Sequence, residues 1–153
     1  MKQYLFLFLS VILLSSCSSN EPIFNPETEA DIINYIQDNN LNAIKTESGL
    51  YYVITKEGTG NKPNSNSDIT FSYTGSFLNG TTFTQTDDNG VAVKLSSQIP
   101  GLTEGLQLFK EGGEGILLIP SELGFGDGVV LVMEVKLIDI IDNEAEILEL
   151  RTF

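Results

Sequence analysis

The chain of 153 residues contains no histidine, and its one cysteine is Cys17. These two counts remove most familiar active-site chemistry. Without an imidazole there is no histidine base or acid, and no basis for a zinc site. The 21 acidic residues show no paired spacing that compels acid–base work. Asp127, between Gly126 and Gly128, reads as a turn residue. Gly58-Thr59-Gly60 lacks the lysine and helix that a phosphate-binding loop requires, so it reads as a plain loop. The sequence calls for neither a metal nor an organic cofactor. Three segments stand out instead: Asp68-Ile69-Thr70-Phe71-Ser72-Tyr73-Thr74-Gly75, Gly101-Leu102-Thr103-Glu104-Gly105-Leu106 and Pro120-Ser121-Glu122-Leu123-Gly124-Phe125-Gly126. They supply aromatic rings, apolar side chains and glycine-lined backbone. Such groups bind, exclude water and donate from backbone N–H; they do not transfer protons.

The beginning of the chain reads as a targeting segment. Lys2 precedes an apolar run from Leu5 to Leu14, broken by Ser10 and too short for a stable membrane span. Leu14-Ser15-Ser16-Cys17 resembles the bacterial lipobox, in which the cysteine thiol is acylated and becomes the new N-terminus. Residues 1–16 are then a lipoprotein signal peptide and Cys17 the lipidation site; an ordinary secretory leader with a chance cysteine is the alternative. Cleavage would leave 137 residues and, with Lys2 gone, move the formal charge from −13 to −14. That length supports one domain with a real core. That charge repels nucleic acid and anionic lipid, so membrane contact would have to come through acyl chains on Cys17.

The rest of the chain supplies the scaffold. Residues 17–47 read as a tether and an N-terminal helix. Asn25 could cap that helix with Pro26 at its first position, and Thr28 with Asp31 offers a second cap. Ile32, Tyr35, Ile36 and Leu41 recur at helical spacing, which suits docking on the main domain, with dimerisation as the lesser alternative. From Ser48 the period changes to two. Leu50, Tyr52 and Ile54 alternate with their neighbours, and Ile69, Phe71 and Tyr73 share one face of a second strand. Lys56–Ser67 is a loop. Asn79-Gly80 signals a two-residue hairpin with positive φ at both positions. Thr81–Thr86 is its return strand, and Asn89-Gly90 turns the chain before Val91, Val93 and Leu95. Leu102, Leu106 and Phe109 form a short helix that Gly112-Gly113 should stop. Ile116–Ile119 and the alternating run Leu131, Met133, Val135, Leu137 complete the strands. The fold class is α+β: an antiparallel sheet wrapped around one short helix, with an extra N-terminal helix. The main domain spans 48–141, and 142–153 is an acidic tail.

The three segments, in this order and spacing, resemble the FKBP family of prolyl isomerases over about Ser48 to Ile140, in a bacterial lipoprotein form. The resemblance implies the fold just described and peptidyl-prolyl cis-trans isomerase activity on X-Pro segments of unfolded or exported polypeptides. It implies a catalytic set of Tyr73, Phe83, Ile99, Leu102 and Phe125, with Thr84, Val91 and Met133 in substrate binding. Ile99 would act through its backbone N–H. The chain departs from the family pattern at four places. Leu102 replaces a tryptophan floor, Phe125 a hydroxyl-bearing tyrosine and Thr84 an aspartate, and Gly126–Val130 is much shorter than the usual loop. The expected function is an isomerase assisting exported proteins, lipid-anchored in the cell envelope at the outer membrane. The alternative is a weak or inactive FKBP-like binding module, a lipoprotein subunit of an envelope assembly.

Overall fold

A computed structural model describes residues 25–141. Cys17, the leader and the acidic tail lie outside the described residues. The expected α+β plan is present. Helix α1 spans Glu29–Asp38; strands follow at Ile44–Lys45 (β1), Tyr51–Lys56 (β2), Asp68–Phe77 (β3), Thr82–Gln85 (β4) and Val91–Lys94 (β5). Helix α2 is Pro100–Leu106, and β6 (Glu114–Ile119) and β7 (Leu131–Ile141) close the chain. All pairings are antiparallel, in the order β1-β2-β6-β7-β3-β4, with β5 also on β3. The sheet therefore begins at Ile44, within the stretch expected to hold only a tether and a helix.

One side of the sheet wraps α2. Ile69, Phe71, Leu102, Leu106, Leu117, Leu131, Met133, Val135 and Leu137 are buried in that core. The period-two reading holds here, because the polar neighbours Glu134 and Lys136 face outward. The reverse side is covered in part by α1. Ile32, 1% exposed, packs with Tyr51, Leu118, Val130 and Val132. That explains why β6 and the start of β7 read as continuous apolar runs: both of their faces are covered there.

Three local expectations are corrected. The N-cap of α1 is Thr28, not Asn25, because Thr28 and Asp31 close a reciprocal capping box. The Asn79-Gly80 hairpin is not the two-residue type. Only Gly80 has positive φ (82°). Gly80 N–H donates to Phe77 O at 2.9 Å and Phe77 N–H to Thr81 O at 3.0 Å, a three-residue loop closed by a left-handed glycine. Helix α2 ends at Leu106, six residues before Gly112. Leu108 and Phe109 N–H donate to Gly105 O and Leu106 O, so the chain tightens into successive i→i−3 turns while Phe109 still reaches the core.

Candidate functional site

At the end of the wrapped face near Phe77, the core opens to solvent. A hollow of about 160 Å³ is lined by Tyr73, Phe83, Thr84, Gln98, Ile99, Leu102, Phe125, Leu131 and Met133. Its floor is the top of the core: Leu102 is 6% exposed, Met133 3% and Leu131 2%. Its walls are aromatic. Tyr73 stacks on Phe71 with centroids 5.2 Å apart, and Phe83 stacks on Phe77 at 4.9 Å. Phe125 stands at the mouth, 63% exposed, and does not collapse into the cavity.

Phe83 and Thr84 are neighbours on one strand, so alternation alone would send them to opposite faces. A bulge resolves this. Gly75 pairs with Thr84 and Ser76 with Thr82, which leaves Phe83 as the extra residue. The bulge re-aims the strand so that both side chains line the hollow. Gly75 makes the space across from them. A Cβ there would lie 2.8 Å from Thr84 Cγ2, 2.9 Å from Phe83 Cζ and 3.0 Å from Met133 Sδ.

Ile99 occupies the N-cap of α2 in an extended conformation (φ −57°, ψ 150°), with Pro100 beginning the helix. Its carbonyl accepts Thr103 N–H at 2.9 Å. Thr103 Oγ1 donates to Leu95 O at 2.9 Å and also reaches Gln98 O at 3.3 Å, which fixes the approach to the helix. No acceptor among the described residues takes Ile99 N–H. A lone backbone donor beside an apolar hollow is fit to bind a carbonyl oxygen.

Seven of the eight residues expected at the site thus meet around one hollow. Val91 does not line it. Strand β5 runs beside the first half of β3, and Val91 pairs with Phe71, two residues before Tyr73. Gln98 and Leu131, which also line it, were not expected there, nor was the bracing of its rim by Thr103. Leu131 was within reach of sequence reasoning, since it shares a face of β7 with Met133. Gln98 and Thr103 carry no signal, because their roles are backbone geometry.

No carboxylate, lysine or arginine lines the hollow. Two of the larger depressions are of a different kind. One, of about 410 Å³ on the outer sheet face, is walled by Ser72, Thr74, Glu114, Glu134 and Lys136. Glu114 there is already held by Lys56 at 2.9 Å, which draws its pKa below the usual glutamate value. The other, of about 420 Å³ between α1 and Leu78-Asn79, is bordered by Glu27, Asp31 and Asp38. Wet, charged walls cannot desolvate an amide, so the smaller hollow is the chemically apt one.

The sequence profile of the FKBP-type peptidyl-prolyl cis-trans isomerases matches residues 59–139. The chain belongs to that family. It is 43% identical over 106 residues to a probable FKBP-type peptidyl-prolyl cis-trans isomerase FkpA of Neisseria meningitidis, covering 62% of this chain and 39% of that protein. It is 40% identical over 81 residues to the outer membrane protein MIP of Legionella longbeachae, covering 52% and 35%. The chain thus spans about two fifths of the length of the curated relatives it matches. Among solved structures, FkpA from Escherichia coli superposes with a TM-score of 0.66 at 27% identity, over 72% of this chain and 57% of that one. A peptidyl-prolyl cis-trans isomerase from Pseudomonas syringae gives 0.63 at 26% identity, over 76% and 98%.

Proposed function

We propose that the protein is a peptidyl-prolyl cis-trans isomerase that acts on X-Pro segments of exported polypeptides in the cell envelope. One observation carries the reading: an open apolar hollow lies beside an unpartnered backbone N–H, with aromatic side chains around it. Isomerisation breaks no covalent bond. Its barrier is lost amide resonance, about 20 kcal/mol, and the uncatalysed event takes tens of seconds. The planar amide is more polar than the twisted one. Moving it from water to an apolar wall raises the planar form relative to the twisted form. Tyr73, Phe83, Leu102, Phe125 and Met133 would provide the walls and floor, and Ile99 N–H would hold a substrate carbonyl as the bond turns. Thr84 would stand at the edge as a neutral polar group. The hollow is smaller than a typical drug-sized site of about 300 Å³ or more, which suits one pyrrolidine ring.

The test is the cis-to-trans rate of a proline-containing peptide. Acceleration at micromolar protein is expected, and none would sink the reading. A second reading, a binding module without catalysis, is favoured by Leu102 and Phe125, which lack a broad ring and a hydroxyl. It requires that the peptide bind without any gain in exchange rate.

The similar MIP of Legionella longbeachae, an outer membrane protein by name, supports an envelope location. Acyl chains on Cys17 would provide the anchor. Only seven residues lie between Cys17 and Asn25, so the eight chain steps reach at most about 28 Å at full extension. The hollow would then work close to the bilayer. Cys17→Ala is expected to move the protein from the membrane fraction to the soluble one; retention in the membrane would overturn the anchor. In this reading 48–141 is the isomerase domain, with 142–153 an acidic tail beyond it.

A further inference from the structure

Phe125 stands at the mouth of the hollow, yet little of its own surface is packed. Something else must hold the segment that carries it. On one side the holder is Ser121, which is 7% exposed. Its carbonyl accepts Gly124 N–H at 3.0 Å and Gly126 N–H at 2.9 Å, and its hydroxyl accepts Gly128 N–H at 2.7 Å. On the other side the holder comes from far away in sequence. Glu27 N–H donates to Gly128 O at 2.8 Å. Val130 N–H donates to Glu27 Oε2 at 2.6 Å, across 103 residues. These two bonds straddle Val129 and pin the return of the loop.

The physical case for a clamp has three parts. Gly126 and Gly128 both have positive φ, so these two positions are intrinsically free, and the side chain between them, Asp127, closes only a local turn by accepting Val129 N–H at 3.1 Å. Val130 is 1% exposed, and a buried N–H without a partner is costly, so a short bond to a carboxylate is a strong tie. Glu27 is itself anchored. It precedes the Thr28 cap of α1, and α1 is fixed to the sheet through Ile32. Among the described residues Glu27 joins no ion pair, so its carboxylate is not engaged by a cation. Glu27 and α1 also lie before the stretch 59–139 that the family profile matches.

We propose that Glu27 is a positioning residue of the proline site. Its backbone and carboxylate clamp Gly128–Val130 from the N-terminal segment and so set Phe125 over the hollow. The clamp replaces with a local strut what a longer loop would do by its own packing. The catalytic part of this proposal rests on the isomerase reading above; the clamp itself does not.

The experiment uses the full chain and five variants: Glu27→Ala, Glu27→Gln, Asp31→Ala, Phe125→Ala and the double variant Glu27→Ala/Phe125→Ala. Peptide kinetics, melting temperature and amide exchange at Val130 are measured on each. Glu27→Ala is expected to lower kcat/KM about fivefold to tenfold, mostly through KM, and to speed exchange at Val130. That loss is smaller than the roughly hundredfold that a displaced reacting group can cause, because Phe125 walls the site and does not react. Glutamine keeps an acceptor oxygen, so Glu27→Gln should stay within twofold of the unaltered protein. Asp31→Ala weakens the α1 cap without touching the clamp, so it should lower the melting temperature and leave kcat/KM within twofold. In the Phe125→Ala background, adding Glu27→Ala should change kcat/KM by less than twofold. The proposal is overturned if Glu27→Ala is catalytically silent, if Glu27→Gln is as impaired, if Asp31→Ala loses as much activity, or if the full loss persists without Phe125. Should the unaltered chain prove inactive, the isomerase reading fails by itself. Unchanged Val130 protection in Glu27→Ala would then overturn the clamp, and faster exchange would support it.

Discussion

Phe83 and Met133 both line the hollow, but they answer to different forces. Phe83 is 37% exposed and leans on Phe77. Truncating it removes a wall while costing little burial, so Phe83→Ala is expected to lower kcat/KM about tenfold, a loss on the scale of one aromatic contact. Its melting temperature should hardly move; a large drop would mean that the ring serves the core instead. Met133 is 3% exposed and belongs to the packed floor. Met133→Ala should cost about 2–5 kcal/mol of stability, readable by denaturant titration, which makes it a poor probe of catalysis. Phe125 offers the opposite experiment. A tyrosine hydroxyl there would add one donor at a wet mouth, worth about 1 kcal/mol, so Phe125→Tyr should tighten peptide binding about fivefold. Apart from Leu131, the aromatic and apolar members of the candidate site were legible because each sits in a recognisable segment. Gln98, Thr103 and Glu27 were not, since what they contribute is a bond to backbone, and backbone leaves no trace in residue type. Val91, which the resemblance placed in substrate binding, lies off the hollow because β5 meets the first half of β3, a register that residue type does not record.

At the scale of elements, the bulge between β3 and β4 decides whether there is a hollow at all. Period-two alternation located both strands, but it carries no information about an extra residue, so the convergence of Phe83 and Thr84 was invisible before the register was known. Gly75 is the counterpart of that bulge. Gly75→Ala would drive a methyl against three lining side chains at 2.8–3.0 Å. Overpacking of this kind costs about 1–3 kcal/mol. The side chains can move only into the hollow or away from the sheet, so kcat/KM is expected to fall more than tenfold, with the lost space visible as weaker peptide binding. Unaltered kinetics in a folded variant would mean that the cavity tolerates filling and is not where the proline sits. The helix termini show the same limit of local reading. Asn25-Pro26 and Thr28-x-x-Asp31 are both plausible starts. The second prevails because Thr28 N–H donates to Asp31 Oδ2 at 2.7 Å, and Glu27, left outside the helix, bonds to Gly128 and Val130.

The whole molecule carries a formal charge of −13, but no carboxylate, lysine or arginine lines the hollow. Rate and stability should therefore depend on pH separately. With no carboxylate or amine lining the site, kcat/KM is expected to be flat from about pH 6 to pH 9, as befits a reaction that moves no proton. Stability should bend at both ends. The Glu29 carboxylate lies below its ordinary pKa, first because Lys45 hydrogen-bonds to it and then because Tyr51 donates to it at 2.6 Å. Asp31 is lowered by Thr28 N–H and Glu114 by Lys56. A carboxyl group depressed in the folded state binds more protons when unfolded, so its contribution is present above its ordinary value, near pH 4, and is lost as pH falls below it. All three groups are at the surface, so the acid limb should be shallow and weaken with salt. On the alkaline side, Lys45 is raised, chiefly by its bond to Glu29. Tyr51 is raised too, first by burial and then by the same carboxylate. Their contributions persist below about pH 10 and fade as pH climbs through the folded values. Glu29, Lys45 and Tyr51 together tie α1 to β1 and β2, so one substitution should flatten both limbs. Melting curves of Glu29→Gln between about pH 3 and pH 11 should lose part of the acid slope and part of the alkaline slope, while peptide kinetics at pH 7 stay as they were. If only one limb changes, the three side chains do not act as a unit.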